Sequence, residues 1–104
     1  QLDAMKKVNP GYTLNTIPKG TYPKQDKDIQ VIGYATHIVA SCKLPEDTVY
    51  SMAKAISQNT QQLSSIVKDI RNLTPKGMAE NIGVPFHRGA AKFYKEAGIA
   101  VLTN

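Results

Sequence analysis

The stretch from Asp28 to Cys42 constrains this chain most. It reads Asp-Ile-Gln-Val-Ile-Gly-Tyr-Ala-Thr-His-Ile-Val-Ala-Ser-Cys, rich in β-branched residues and free of proline, which is the composition of extended chain. At about 3.3 Å per residue such a run would reach roughly 50 Å. A compact body of this size has a radius of gyration of only about 13 Å. The run is therefore expected to bend or to cross between two bodies, and Gly33 is the place for it. Past Gly33, Ala35 and Val39 fall on one strand face and Ile38 and Ala40 on the other. That pattern predicts a strand covered on both sides, as in an α/β sheet. His37, inside it, is expected to be a hydrogen-bonded core residue rather than a catalyst or ligand.

The chain has 104 residues, enough for one domain or a piece of one. Apolar residues make up 41% and charged residues 20%, which excludes a disordered chain. The net charge of +5 raises nucleic-acid binding as a possibility. Such binders cluster Lys and Arg and interleave aromatics. Here the lysines are dispersed, and the densest groups are Lys6-Lys7 and the trio Lys19, Lys24 and Lys27. No nucleic-acid partner is expected, although a modest positive field can draw in a small anion. The longest apolar run, Ile99 to Leu102, is far too short to span a membrane.

Gln1 to Val8 reads as the end of a helix with no N-cap before Leu2, the opening of a fragment or of a processed chain. Asn9-Pro10-Gly11 stops it. Tyr12 to Ile17 alternates loosely and predicts a strand. The next ten residues, to Lys27, hold two prolines and a glycine and predict a loop. Tyr22 is the large ring in that loop. Packing over the loop's own edge is its commoner role; facing a ligand or a partner lobe is the sharper one.

Pro45, Glu46 and Asp47 suit the first turn of a helix. Val49, Met52, Ala53 and Ile56 form a core stripe, and Leu63, Ile66, Val67 and Ile70 form a second one. A break at Asn59-Thr60 is expected, where either residue can cap a new helix. Thr74-Pro75 opens a short helix reaching about Asn81. After an extended Val84 to His87, a last helix spans Gly89 to Ala97, with Ala90, Phe93, Tyr94 and Ala97 inward and Gly98 at its end. Ile99 to Leu102 is either strand-like or packed on the body.

Catalytic motifs are missing: no G-x-S-x-G, P-loop, G-x-G-x-x-G or H-E-x-x-H occurs. Cys42 is the sole thiol and is expected to be buried. Asp26 and Asp28 mimic the start of a calcium loop, but its glycine position holds Val31. The expectation is a chain without enzymatic activity, metal or cofactor.

Three blocks carry a family resemblance. Residues 83–98 read GVPFHRGAAKFYKEAG, residues 17–26 read IPKGTYPKQD and residues 44–50 read LPEDTVY. In that order they resemble signatures of the TAXI family of solute receptors for TRAP transporters: P-(L/F)-H-P-G-A-x-(K/R)-(F/Y)-Y-(K/R)-E-x-G, I-P-x-G-x-Y-P-G-Q-D and L-P-E-D-x-V-Y. Two positions depart. Arg88 stands where the family usually has Pro, and Lys24 where it usually has Gly.

The resemblance implies an α/β, two-lobed periplasmic binding protein fold, of which this chain is the C-terminal third. Residues 1–32 would belong to the second lobe, and 33–104 to the hinge crossing and the return to the first lobe. It implies an extracytoplasmic or periplasmic receptor that closes on a small acidic solute, such as glutamate or a dicarboxylate, and delivers it to TRAP permease subunits. A ligand-sensing module of the same fold in a signalling protein is the alternative. Thr21 and Tyr22 are the candidate ligand contacts, Tyr34 a further one, and Gly33 the hinge. His87 with the amides of Gly89 and Ala90 can hold an anion, though capping the last helix is the commoner role. An isolated piece with open strand edges is expected to self-associate.

Overall fold

A computed structural model of the chain describes residues 1–103. The order is α1 (Leu2–Val8), β1 (Tyr12–Ile17), β2 (Ile29–Tyr34), α2 (Glu46–Gln58), α3 (Thr60–Leu63), a 3-10 turn at Lys68–Ile70, α4 (Pro75–Met78) and α5 (Arg88–Glu96). This is a mixed α/β fold, as expected. It divides into two compact units, Gln1–His37 and the chain from Ile38 onward.

The first unit is an antiparallel hairpin with α1 against β1. Its register pairs Tyr12 with Tyr34, Leu14 with Ile32 and Ile17 with Ile29. Cross-strand partners share a face, so Tyr12, Tyr34, Leu14 and Ile32 lie together. Leu14, Ile32 and Tyr34 of that group are exposed, whereas Thr13, Val31 and Gly33 on the opposite face are half-buried. Gly33 is an interior residue of β2 opposite Thr13, and the Asn15 amide group occupies the space that a Cβ would fill.

The extended run is strand only from Ile29 to Tyr34. The expectation of a doubly covered strand beyond that point is corrected. Pairing ends at Tyr12↔Tyr34 because β1 itself begins there, after the Asn9-Pro10-Gly11 turn, and a strand without a partner has no ladder to join. Ile38 and Val39 are 71% and 87% exposed. His37 and Cys42 are exposed too, not buried as expected.

The second unit holds every buried residue among those described. α2 packs on α5, and the core gathers Ala53, Phe93 and Tyr94, with Tyr50, Phe86, Ile99 and Val101 around them. Burying a side chain like Phe93 contributes about 1.5–3 kcal/mol. The rings interlock edge to face, Phe86 on Tyr94 at 5.3 Å and Tyr50 near Phe93 at 6.4 Å. Gly89 is buried because α5 crosses α2 there. A Cβ would strike the Glu46 carbonyl oxygen and come within 2.8 Å of the Tyr50 nitrogen.

Three details of the helical reading are corrected. Met52 is exposed, on the edge of its stripe. Ile66 and Val67 are exposed because α3 ends at Leu63 and Val67 is extended, so no helical face aligns the second stripe; only Leu63 and Ile70 stay half-buried. Ala97 is exposed because α5 ends at Glu96 and Gly98 turns the chain at φ +78°, while Ala91 is buried instead. The break itself falls as expected. However, the Asn59 side chain donates back to the Ala55 carbonyl at 2.7 Å and does not cap α3. The chain's end is strand-like at one point: the Phe86 N–H donates to the Leu102 carbonyl at 2.8 Å, in a parallel bridge with Thr103.

Candidate functional site

Residues 18–28 connect β1 to β2 as a loop braced by its own hydrogen bonds. Its neck closes where the Lys19 N–H donates to the Asp28 carboxylate at 2.8 Å. Gln25 is the central brace. Its amide nitrogen Nε2 donates to the carbonyls of Ile17 (3.2 Å) and Lys27 (3.0 Å), and its Oε1 accepts from the Tyr22 N–H at 3.2 Å. The Gln25 N–H donates to the Tyr22 carbonyl at 3.2 Å. Pro at the second position, Lys24 at φ 65° in the third and that closing bond make Tyr22-Pro23-Lys24-Gln25 a type II turn.

Lys24 is the one non-glycine residue with positive φ among those described. A left-handed backbone costs a residue with a Cβ about 1–2 kcal/mol. The position calls for glycine on physical grounds.

The loop thus presents Tyr22 from a fixed backbone, with the residue 61% exposed. Its hydroxyl has no hydrogen bond among the described residues, and Lys19, Lys24 and Lys27 have no ion pair among them. Thr21 is adjacent, but its hydroxyl donates to the Pro18 carbonyl at 2.7 Å. Its remaining lone pairs suit a ligand donor such as an ammonium. Thr21 and Tyr22 therefore stand together. Tyr34, 79% exposed, lies at the other end of β2, five residues beyond Ile29 and about 17 Å along the strand. The roles of Gln25 and Asp28 were not foreseen. The only local signal for them was a glutamine closing a Pro-containing turn and an aspartate three residues further on.

At the start of α5, His87 is the N-cap, and its Nδ1 accepts from the Gly89 N–H at 3.1 Å. One of the amides that would meet an anion is therefore occupied by the protein itself, and the capping role holds. The other ring nitrogen, Nε2, is buried without a partner in the structure. An open depression of about 500 Å³ beside α4 is lined by Thr74, Lys76, Gly77, Ala79, Glu80 and Ile99. Its Thr74 hydroxyl oxygen already accepts from Gly77 N–H at 3.1 Å. Among the described residues, no three His, Cys, Asp or Glu group to hold a metal ion. Among the described residues, no helix is long and apolar enough to cross a membrane.

A family model matches residues 1–98, a span that includes the hairpin loop, α2 and α5. The chain belongs to the NMT1-like family. This family is periplasmic-binding-protein-like, and solute binding is its general function. In this NMT1-like chain the β1–β2 loop exposes Tyr22 and lysines that have no ion pair among the described residues. The two long helices, by contrast, spend polar groups on each other: Tyr50 Oη donates to Glu96 at 2.7 Å, and Lys92 Nζ lies 3.6 Å from Glu46 and 3.7 Å from Asp47.

Proposed function

We propose that this chain is the C-terminal part of a TAXI-type solute receptor, which delivers a small acidic solute to a TRAP permease outside the cytoplasm. The family match over residues 1–98 carries the reading, because it contains all three signature blocks in order. Binding and closure are its mechanism, without catalysis. The ligand selects a closed form by touching two lobes, and a hinge absorbs the rotation while each lobe stays rigid. Gly33 is the proposed hinge position. Thr21 and Tyr22 are the proposed contacts on the loop; Tyr34, at the far end of β2, is assigned to a separate contact. A Thr21 hydroxyl with its proton engaged and a free Tyr22 hydroxyl suit a solute that has both an ammonium and a carboxylate.

The test is thermal-shift screening of the protein encoded by the complete reading frame against L-glutamate, L-glutamine, succinate and fumarate. A saturable rise in melting temperature with at least one acidic member is expected. A flat response to the whole panel overturns the acidic-solute reading.

A further inference from the structure

We propose that the tip of the β1–β2 loop is a carboxylate-recognition site, in which Lys24 supplies the cation and Tyr22 a hydroxyl, so that Lys24 sets the preference for acidic over neutral solutes. The inference rests on the solute-binding reading and names a specificity-determining residue within it. Three observations converge. Lys24 holds a cation at a left-handed position where glycine would be relaxed, and backbone strain of this kind collects where a side chain is needed for function. Its ammonium and those of Lys19 and Lys27 form no ion pair among the described residues. Tyr22, one proline away, has a free hydroxyl on a backbone that Gln25 holds through both its N–H and its carbonyl.

With the backbone of the turn already fixed, only the side-chain rotamers of Lys24 and Tyr22 remain to be ordered when they bind. Hydrogen bonds from both to a carboxylate are charge-assisted, the stronger kind. Of the loop's two carboxylates, Asp28 accepts from the Lys19 N–H, and it and Asp26 together oppose three lysines, which leaves the loop one positive charge in excess. A ligand with two carboxylates is favoured, since one can engage Lys24 while the other meets Lys19 or Lys27.

The test is an NMR titration of the ¹⁵N-labelled protein encoded by the complete reading frame with succinate, and in parallel with neutral succinamide, at constant ionic strength. Succinate is expected to move the amide signals of Tyr22, Lys24 and Gln25 saturably, and succinamide to leave them in place. Lys24→Gln keeps the strained backbone and Lys24→Gly relaxes it. Each is expected to weaken succinate binding about tenfold, the loss of one charge-assisted contact. Retained affinity in Lys24→Gln overturns the proposal, as does a flat wild-type titration. Saturable shifts confined to residues outside the loop, equal in wild type and Lys24→Gln, overturn it while leaving solute binding intact.

Discussion

At the scale of single residues, two side chains work against their local surroundings and can be read by substitution. Lys24 occupies a glycine-type backbone at φ 65°. Lys24→Gly is expected to stabilise the chain by about 1 kcal/mol, less the entropy that glycine adds to the unfolded state. Thermal melting of the two chains side by side checks this, and a lower midpoint for the variant refutes it. Tyr94 is the second case. Its buried phenol donates to the Met78 carbonyl at 3.2 Å, and burial raises its pKa above the usual 10.0. The folded chain then keeps a proton that the unfolded chain releases. Stability from this group is whole below pH about 10 and is lost as pH climbs through the raised folded value. Tyr94→Phe loses the hydrogen bond, about 1 kcal/mol at neutral pH. Urea melts from pH 8 to 11 are expected to show the gap between wild type and variant narrowing at the alkaline end.

At the scale of elements, the caps decide how α5 starts. His87 accepts from Gly89, and Arg88 fills the first helical position, where proline is preorganised and lacks only an amide that the helix cannot use. His87→Ala is expected to cost about 1 kcal/mol and His87→Asn to restore most of it. Arg88→Pro is expected to be neutral or stabilising, and circular-dichroism melts read all three. Gly89 is less tolerant. Gly89→Ala drives a methyl into the Glu46 carbonyl and should separate α5 from α2 at a cost of about 1–3 kcal/mol or more by denaturant melting.

These elements were legible because their signals are local: β1 at Tyr12–Ile17, the Thr74-Pro75 start of α4, the break at Asn59 and the turn at Gly98 each follow from residues within one turn of chain. Exposure was not. Met52, Val67 and Cys42 have core-type side chains, but burial depends on which distant segment lies opposite, and periodicity does not name that segment. The same holds for the site. Tyr22 and Thr21 were visible as loop residues, whereas the brace through Gln25 needs the neck of the loop to be closed first.

At the scale of the whole molecule, buried residues are confined to the unit from Ile38 onward, and the Gln1–His37 unit has none. A two-stranded hairpin is marginal in water by itself. Its unpaired strand edges and the exposed face of Leu14, Ile32 and Tyr34 are expected to bring two copies of the chain together. Sedimentation velocity across the micromolar range should show dimers or larger species, and Ile32→Lys should shift them toward monomer. A wild-type monomer at high micromolar concentration refutes the association.

The bridge from Phe86 to residues 102–103 has a practical side for anyone handling this molecule. A tag, dye or surface linker fused behind Thr103 would tug on a segment that is stitched to Phe86, whose ring rests on Tyr94. Mechanical load or steric bulk at that end would be transmitted straight into the aromatic cluster. Residues 38–41, outside every helix and strand, are the gentler anchoring point.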